Sequence, residues 1–225
     1  MTNKNIVLVL DLDGVVVFEA TPPAWVRAEL LLLHRELTSV IAELGVDVAI
    51  LTHRSRREAD RILHSAGIVE GERLRLFSAE DLFRAGRQRG GWRGLWAGGL
   101  KKSAVVPEIE LLFGVARSDI VFVDDRLDNV DDLLQAGIGL AMLAPSALAA
   151  DGSLTSFSIS EVTDVIGRWR DGQMEARMVA LTAVSSGVEA WQSTGVHIRD
   201  ESLHLFNGIR RIARHARGFA KRIAH

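Results

Sequence analysis

Short, largely apolar runs punctuate the chain, and several end on an acid or a hydroxyl. Ile6 to Leu10 is apolar throughout and leads into Asp11-Leu12-Asp13-Gly14-Val15. A run that short and rich in β-branched residues predicts a strand buried on both faces. Charged carboxylates do not sit unpaired inside a sheet, so Asp11 and Asp13 mark the strand's exit. In open α/β sheets that edge is where ligands bind. Val46 to Thr52 repeats the pattern and closes on Thr52. Leu74 to Phe77 is a third run, Ile120 to Val123 ends on the adjacent acids Asp124 and Asp125, and Ile138 to Leu143 is a fifth.

Between these runs the spacing turns helical. Ala24 to Leu44 carries Trp25, Leu30, Leu33, Leu37, Val40, Ile41 and Leu44 at helical intervals and stops at Gly45, which predicts a long helix. Arg54 to Ala66, closed by Gly67, and Ser160 to Arg170 read the same way, and Ser78-Ala79-Glu80-Asp81 reads as a capped helix start. The β-like run from Val15 stops at Pro22-Pro23 and predicts a flap or hairpin beside the first acids. Arg84 to Gly99 is crowded with Gly, Arg and Trp without a clean period. It reads as a loop: either a plain surface loop, or a substrate-facing one whose arginines hold an anion and whose tryptophans stack on a flat body.

Beyond residue 172 the pattern predicts a C-terminal helical hairpin over 173–225, following a core over 1–172. Met174, Met178, Leu181, Val188 and Trp191 mark one helical face. Leu205, Ile209, Ile212, Ala216, Phe219 and Ile223 form a seam of two apolar positions per heptad, with arginines on the other faces. Such a seam needs a partner: the preceding segment, the core, or the same helix of another subunit in a homo-oligomer. A membrane surface or a nucleic acid is the alternative partner.

Composition narrows the function classes. The 225 residues suffice for one ordinary domain plus an appendage, and 48% hydrophobic with 25% charged residues is the balance of a globular protein. No apolar run approaches the ~20 residues of a membrane span. The chain enters its first strand almost at once, from which a cytoplasmic location is expected. There is no Cys, which excludes disulfides, thiolate nucleophiles and zinc–thiolate sites. A net charge of −2 gives no global reason to expect nucleic acid, although Arg199 to His225 holds seven Lys and Arg against two acids.

Asp11-Leu12-Asp13-Gly14-Val15 resembles the first motif, DxDx[TV], of the haloacid dehalogenase (HAD) superfamily. Thr52 at a strand end resembles its second motif. The Lys101-Lys102 pair before a helix resembles the third, with Lys102 the better match to Lys-x-x-Ala and Lys101 the alternative. Asp124-Asp125 with Asn129 downstream resembles the fourth. The resemblance covers residues 4 to about 171. It implies a Rossmann-like α/β core with a parallel five-stranded sheet flanked by helices. The short spacing between motifs implies a capless or minimally capped member.

The same resemblance implies a Mg²⁺-dependent phosphatase acting on a phosphorylated substrate of unknown identity. Asp11 would be the nucleophile and Asp13 the general acid and base. Thr52 and Lys102 would bind phosphate. Asp11, the Asp13 backbone carbonyl and Asp125 would hold the metal, with Asp124 as ligand or support. An acid at position 13 fits phosphate esters, whose leaving oxygen needs a proton. One alternative is a nucleic-acid end phosphatase using the basic tail. Another is a phosphate-recognising binding module, whose signature would be loss of Asp11 or Asp13; both are present.

Overall fold

The computed structural model describes residues 5–20, 29–34, 36, 46–147, 154–184 and 191–198. In chain order its elements are β1 (Val7–Leu10), β2 (Val17–Ala20), β3 (Glu29–His34), β4 (Asp47–Leu51), α1 (Arg56–Ser65), β5 (Leu74–Phe77), α2 (Ala79–Gly98), α3 (Val106–Phe113), β6 (Ile120–Asp124), α4 (Leu127–Gln135), β7 (Leu140–Leu143), α5 (Ile159–Arg170), β8 (Met178–Ala180) and β9 (Trp191–Ile198). A 3-10 turn over Lys102–Val105 precedes α3.

Six strands form one parallel sheet in the order β5-β4-β1-β6-β7-β8. The core is Rossmann-like. Val7 and Val9 point into one apolar layer with Leu82, Val105, Ile109 and Leu133. Leu8 and Leu10 point into the other with Ile62, Leu63, Val162 and Val165. Each such side chain contributes roughly 1.5–3 kcal/mol by burial, so the first strand belongs in the middle. β1 pairs with β4 on one side and β6 on the other. The strand order therefore reverses at β1, and the crevice beyond its carboxyl end is where such sheets place ligands.

Several sequence expectations need correction. The sheet has six strands where five were expected, because β8 pairs with β7 and continues the sheet past residue 172. Met178 accordingly lies in a strand, and Trp191 opens β9, so the helical face drawn through Met174, Met178, Leu181, Val188 and Trp191 does not form as one helix. The helix expected over Ala24 to Leu44 is replaced at Glu29–His34 by β3, which pairs antiparallel with β2 and with β9. Four consecutive leucines satisfy helix and strand periodicity alike, and pairing on both edges decides for the strand. The flap expected beside the first acids is β2, the outer strand of this second sheet.

The Gly/Arg/Trp segment is helix rather than loop. It belongs to α2, which kinks at Gly91, a residue at φ 58°. Several of its described side chains are engaged by neighbours: Phe83 meets Trp92 edge-on at 5.9 Å, and the Arg87 guanidinium lies 5.0 Å from the Trp92 ring centre. Arg84 reaches Glu108 at 2.9 Å, and Arg89 donates to the Ser103 carbonyl at 3.1 Å. The Leu205–Ile223 seam and the basic tail lie outside the described residues. Among the described residues no helix is long and apolar enough to cross a membrane.

Candidate active site

β1 ends where its backbone still pairs with β6, through a bond from Asp11 N to the Val123 carbonyl at 2.9 Å. The chain then turns, and Gly14 takes φ +78°. That conformation suits glycine, and the space requires it as well. A Cβ on Gly14 would stand 2.2 Å from Asp125 Oδ2. The missing side chain is what lets the carboxylate of the β6 turn approach the β1 turn. Gly14→Ala is therefore expected to lower thermal stability by at least about 1–2 kcal/mol and to displace Asp125. An unchanged melting temperature would contradict this packing.

The expected site residues converge at this edge. Asp11, Asp124 and Asp125 each offer a carboxylate oxygen, and these oxygens lie within 4.8 Å of one another. Lys102 is 1% exposed although it is a lysine. Its Nζ lies 2.7 Å from Asp11 Oδ1 and 2.7 Å from Asp124 Oδ2. The 3-10 turn before α3 delivers it there. Lys101, the alternative, points elsewhere: its side chain is 57% exposed and 3.6 Å from Asp132.

Asp124 is the most heavily held of the acids. Its oxygens accept from Lys102 Nζ, from Asn129 Nδ2 at 3.0 and 3.1 Å, and from the Arg126 backbone N–H at 2.8 Å. Asp125 instead faces a cavity of about 330 Å³ lined also by Asp11, Asp13, Gly14, Phe18, His53 and Asn129. A larger cavity of about 650 Å³ adjoins it and shares His53, Arg126 and Asn129, but Asp11, Asp13 and Asp125 line only the smaller one.

The electrostatics follow from crowding four acids, of which Asp11 and Asp124 are buried, beside two cations. Burial pushes the Asp11 carboxyl well above its ordinary value; Lys102 opposes this, while Asp124 and Asp13 add to it. Burial and then Asp124 push Asp125 up to about 6. For Lys102, burial favours loss of the proton, but Asp11 and Asp124 outweigh it and hold the ammonium above its usual value. The fit to a divalent cation is good on the donor chemistry: clustered carboxylate oxygens suit a hard ion, and an ion there would offset the burial, and after it the repulsion, that raise Asp11 and Asp125.

Thr52 sits at the end of β4, fully buried, and its N–H bonds to the Phe77 carbonyl at 2.9 Å. Its hydroxyl accepts from Arg54 N at 3.0 Å and makes a long contact of 3.4 Å to Asp13 Oδ2. Helix α1 is capped by Ser55. The sequence reading did not single out Arg54, Glu58 and His53 as site residues. Arg54 clamps Asp13 Oδ1 through Nε at 2.7 Å and Nη2 at 2.6 Å, and also pairs with Glu58. The Arg54/Glu58 spacing of an i,i+4 ion pair was the available signal. His53 bonds to the Leu100 carbonyl at 2.8 Å; burial, then Lys102, push its pKa down.

Several solved structures align with the chain at low identity. A hypothetical protein from Xanthomonas campestris aligns at 16% identity and TM-score 0.39, over 61% of this chain and 62% of its own, under two thirds of its length. A structure described as a putative HAD family hydrolase from Streptomyces avermitilis aligns at 15% identity and TM-score 0.43, over 84% and 87%. The 3-deoxy-D-manno-octulosonate 8-phosphate phosphatase of Moraxella catarrhalis aligns at 17% identity and TM-score 0.38, over 62% and 68%. No protein-family model matches the chain, and no curated protein matches it. At such identities and scores, function rests on the residues gathered at the sheet edge.

Proposed function

We propose that the protein is a Mg²⁺-dependent phosphatase that hydrolyses a phosphate monoester through an aspartyl-phosphate on Asp11. The observation that carries this reading is the buried Lys102 ammonium held 2.7 Å from both Asp11 and Asp124, with Asp125 converging on the same point. A buried cation among carboxylates at a ligand-binding sheet edge is an arrangement for transferring an anionic group.

In the first half-reaction an Asp11 carboxylate oxygen forms a bond to phosphorus while the bond to the leaving oxygen breaks. Asp13 gives its proton to that oxygen. In the second, Asp13 takes a proton from water as the water oxygen bonds to phosphorus. The Asp11–phosphorus bond then breaks, and inorganic phosphate and a free carboxylate remain. Thr52 donates a hydrogen bond to a phosphoryl oxygen, and Lys102 offsets the charge that spreads over these oxygens in the transition state. The larger adjoining cavity, sharing His53 and Arg126 with the smaller, takes the body of the leaving group.

Asp11, the backbone carbonyl of Asp13 and Asp125 would hold Mg²⁺. A bound Mg²⁺ would neutralise phosphoryl charge and orient the substrate. Asp124 supports from behind, because Lys102, Asn129 and the Arg126 N–H already occupy its oxygens. Asp125→Ala is expected to raise the Mg²⁺ concentration needed for half-maximal activity more than Asp124→Ala does; the reverse order in a Mg²⁺ titration would exchange the two roles.

A panel of phosphate esters, assayed for phosphate release with Mg²⁺ and with EDTA, tests the reading. The expected result is turnover of an aryl phosphate with Mg²⁺ and none with EDTA. Turnover unaffected by EDTA, or none on any ester, would refute it.

A further inference from the structure

We propose that Arg54 is a positioning residue: it sets the orientation of the Asp13 carboxyl and so decides which of its oxygens meets the leaving group. This inference rests on the phosphatase reading above. Arg54 lies two residues after Thr52, in the turn that leads into α1. Its side chain is 11% exposed, against 41% for Asp13, so an inner cation holds an outer acid. Nε and Nη2 both reach Asp13 Oδ1, at 2.7 and 2.6 Å. Nη1 pairs on the opposite side with Glu58, which is 3% exposed in the first turn of α1.

The guanidinium is planar and its N–H directions are fixed relative to one another. Anchoring Nη1 on a buried carboxylate therefore fixes where Nε and Nη2 point. Nε donates to Oδ1 and Nη2 lies against the same oxygen. Oδ2 is left on the side of the Thr52 hydroxyl, 3.4 Å away. The oxygen held by the guanidinium is poorly placed to carry a proton outward, so the transferred proton belongs on Oδ2. In the first half-reaction the Oδ2–H bond breaks, its electron pair stays on Asp13, and the proton joins the leaving oxygen as that oxygen parts from phosphorus. In the second, Oδ2 takes a proton from the attacking water. Arg54 keeps its charge and exchanges no proton in either step.

A positioned general acid matters most where the leaving oxygen is basic. The test compares phenyl phosphate with 4-nitrophenyl phosphate, whose leaving group needs less protonation, on the full chain with Mg²⁺. The variants are Arg54→Gln, Arg54→Lys and Arg54→Gln/Glu58→Gln, the last so that the buried Glu58 carboxylate does not keep a charge whose Arg54 pairing has been removed. For the single and double Gln variants, kcat on phenyl phosphate is expected to fall about a hundredfold and on 4-nitrophenyl phosphate less than about tenfold. KM should hold on both, and Arg54→Lys should recover part of the phenyl phosphate rate. Equal losses on the two esters would mean that Arg54 is structural only, and would overturn the proposal. So would a raised KM with kcat retained, the mark of an arginine that binds an anionic group of the substrate. A wild-type chain inactive on both esters would overturn the phosphatase reading itself, whereas an active wild type with equal variant losses would overturn only the role of Arg54.

Discussion

Asp11→Asn is expected to abolish phosphate release from an aryl phosphate, with a loss on the order of 10⁴–10⁶-fold, the range seen when a covalent nucleophile is removed. The amide keeps the shape of the side chain, including an oxygen able to accept from the Leu12 N–H, a bond of 2.8 Å in the native chain. It lacks the charge that attacks phosphorus. The fold should not suffer. Burial raises the Asp11 pKa in the folded chain, so the group's contribution to stability is present below its unfolded pKa and is lost as pH rises through the folded value. At neutral pH without a divalent cation, burial outweighs the help of Lys102 and the carboxylate is a net cost that the amide avoids. Thermal melting in EDTA should show the variant at least as stable as the native chain. An inactive variant that is also unfolded would leave the activity loss without this explanation, and a variant with native activity would refute covalent catalysis.

Lys102→Ala has the second large effect, and it acts on both activity and stability. The ammonium is the shared partner of two buried acids, Asp11 and Asp124, at 2.7 Å from each. Removing one member of a buried ion cluster typically costs about 3–5 kcal/mol, because the charges left behind have no water to turn to. Losing a preorganised charge from the transition state costs roughly a hundredfold in rate or more. Mg²⁺ should restore part of the stability, since a cation at the acids takes over some of the neutralisation, but little of the rate. Lys101→Ala, which removes a surface pair with Asp132, should change stability by at most about 1 kcal/mol. Melting curves of both variants with Mg²⁺ and with EDTA separate the two lysines, and equal effects would show that Lys102 is not the buried partner.

The legible part of the sequence was the part in which one strand end carries one chemical message. Ile6–Leu10 running into Asp11 and Asp13, and Ile120–Val123 running into Asp124 and Asp125, each state burial and then charge within a few residues. The sheet sets these ends side by side through β1–β6 pairing. Lys102 could be preferred over Lys101 by resemblance, and the structure places it between the acids. Less legible were segments whose state depends on distant partners. Glu29–His34 is helical by periodicity and becomes a strand because β2 and β9 pair with it. Met178–Ala180 is too short to announce itself and is a strand because β7 offers an edge. The Arg84–Gly98 stretch is rich in glycine, yet it is helical because contacts such as Arg84–Glu108 hold it, and Gly91 at positive φ provides the kink. Arg54 looked like an ordinary residue opening a helix; its role emerges only when the β1 turn brings Asp13 to it.

The measurement that bears most directly on the account is the trapping of the covalent intermediate. The full chain with Mg²⁺ is mixed with an aryl phosphate, quenched in acid during turnover, digested and examined by mass spectrometry. The account predicts a phosphoryl group on Asp11 in the peptide spanning the end of β1, present in the native chain and absent from Asp11→Asn. Turnover with the phosphoryl group on another residue, or with none on the protein under conditions in which an intermediate should accumulate, would contradict it.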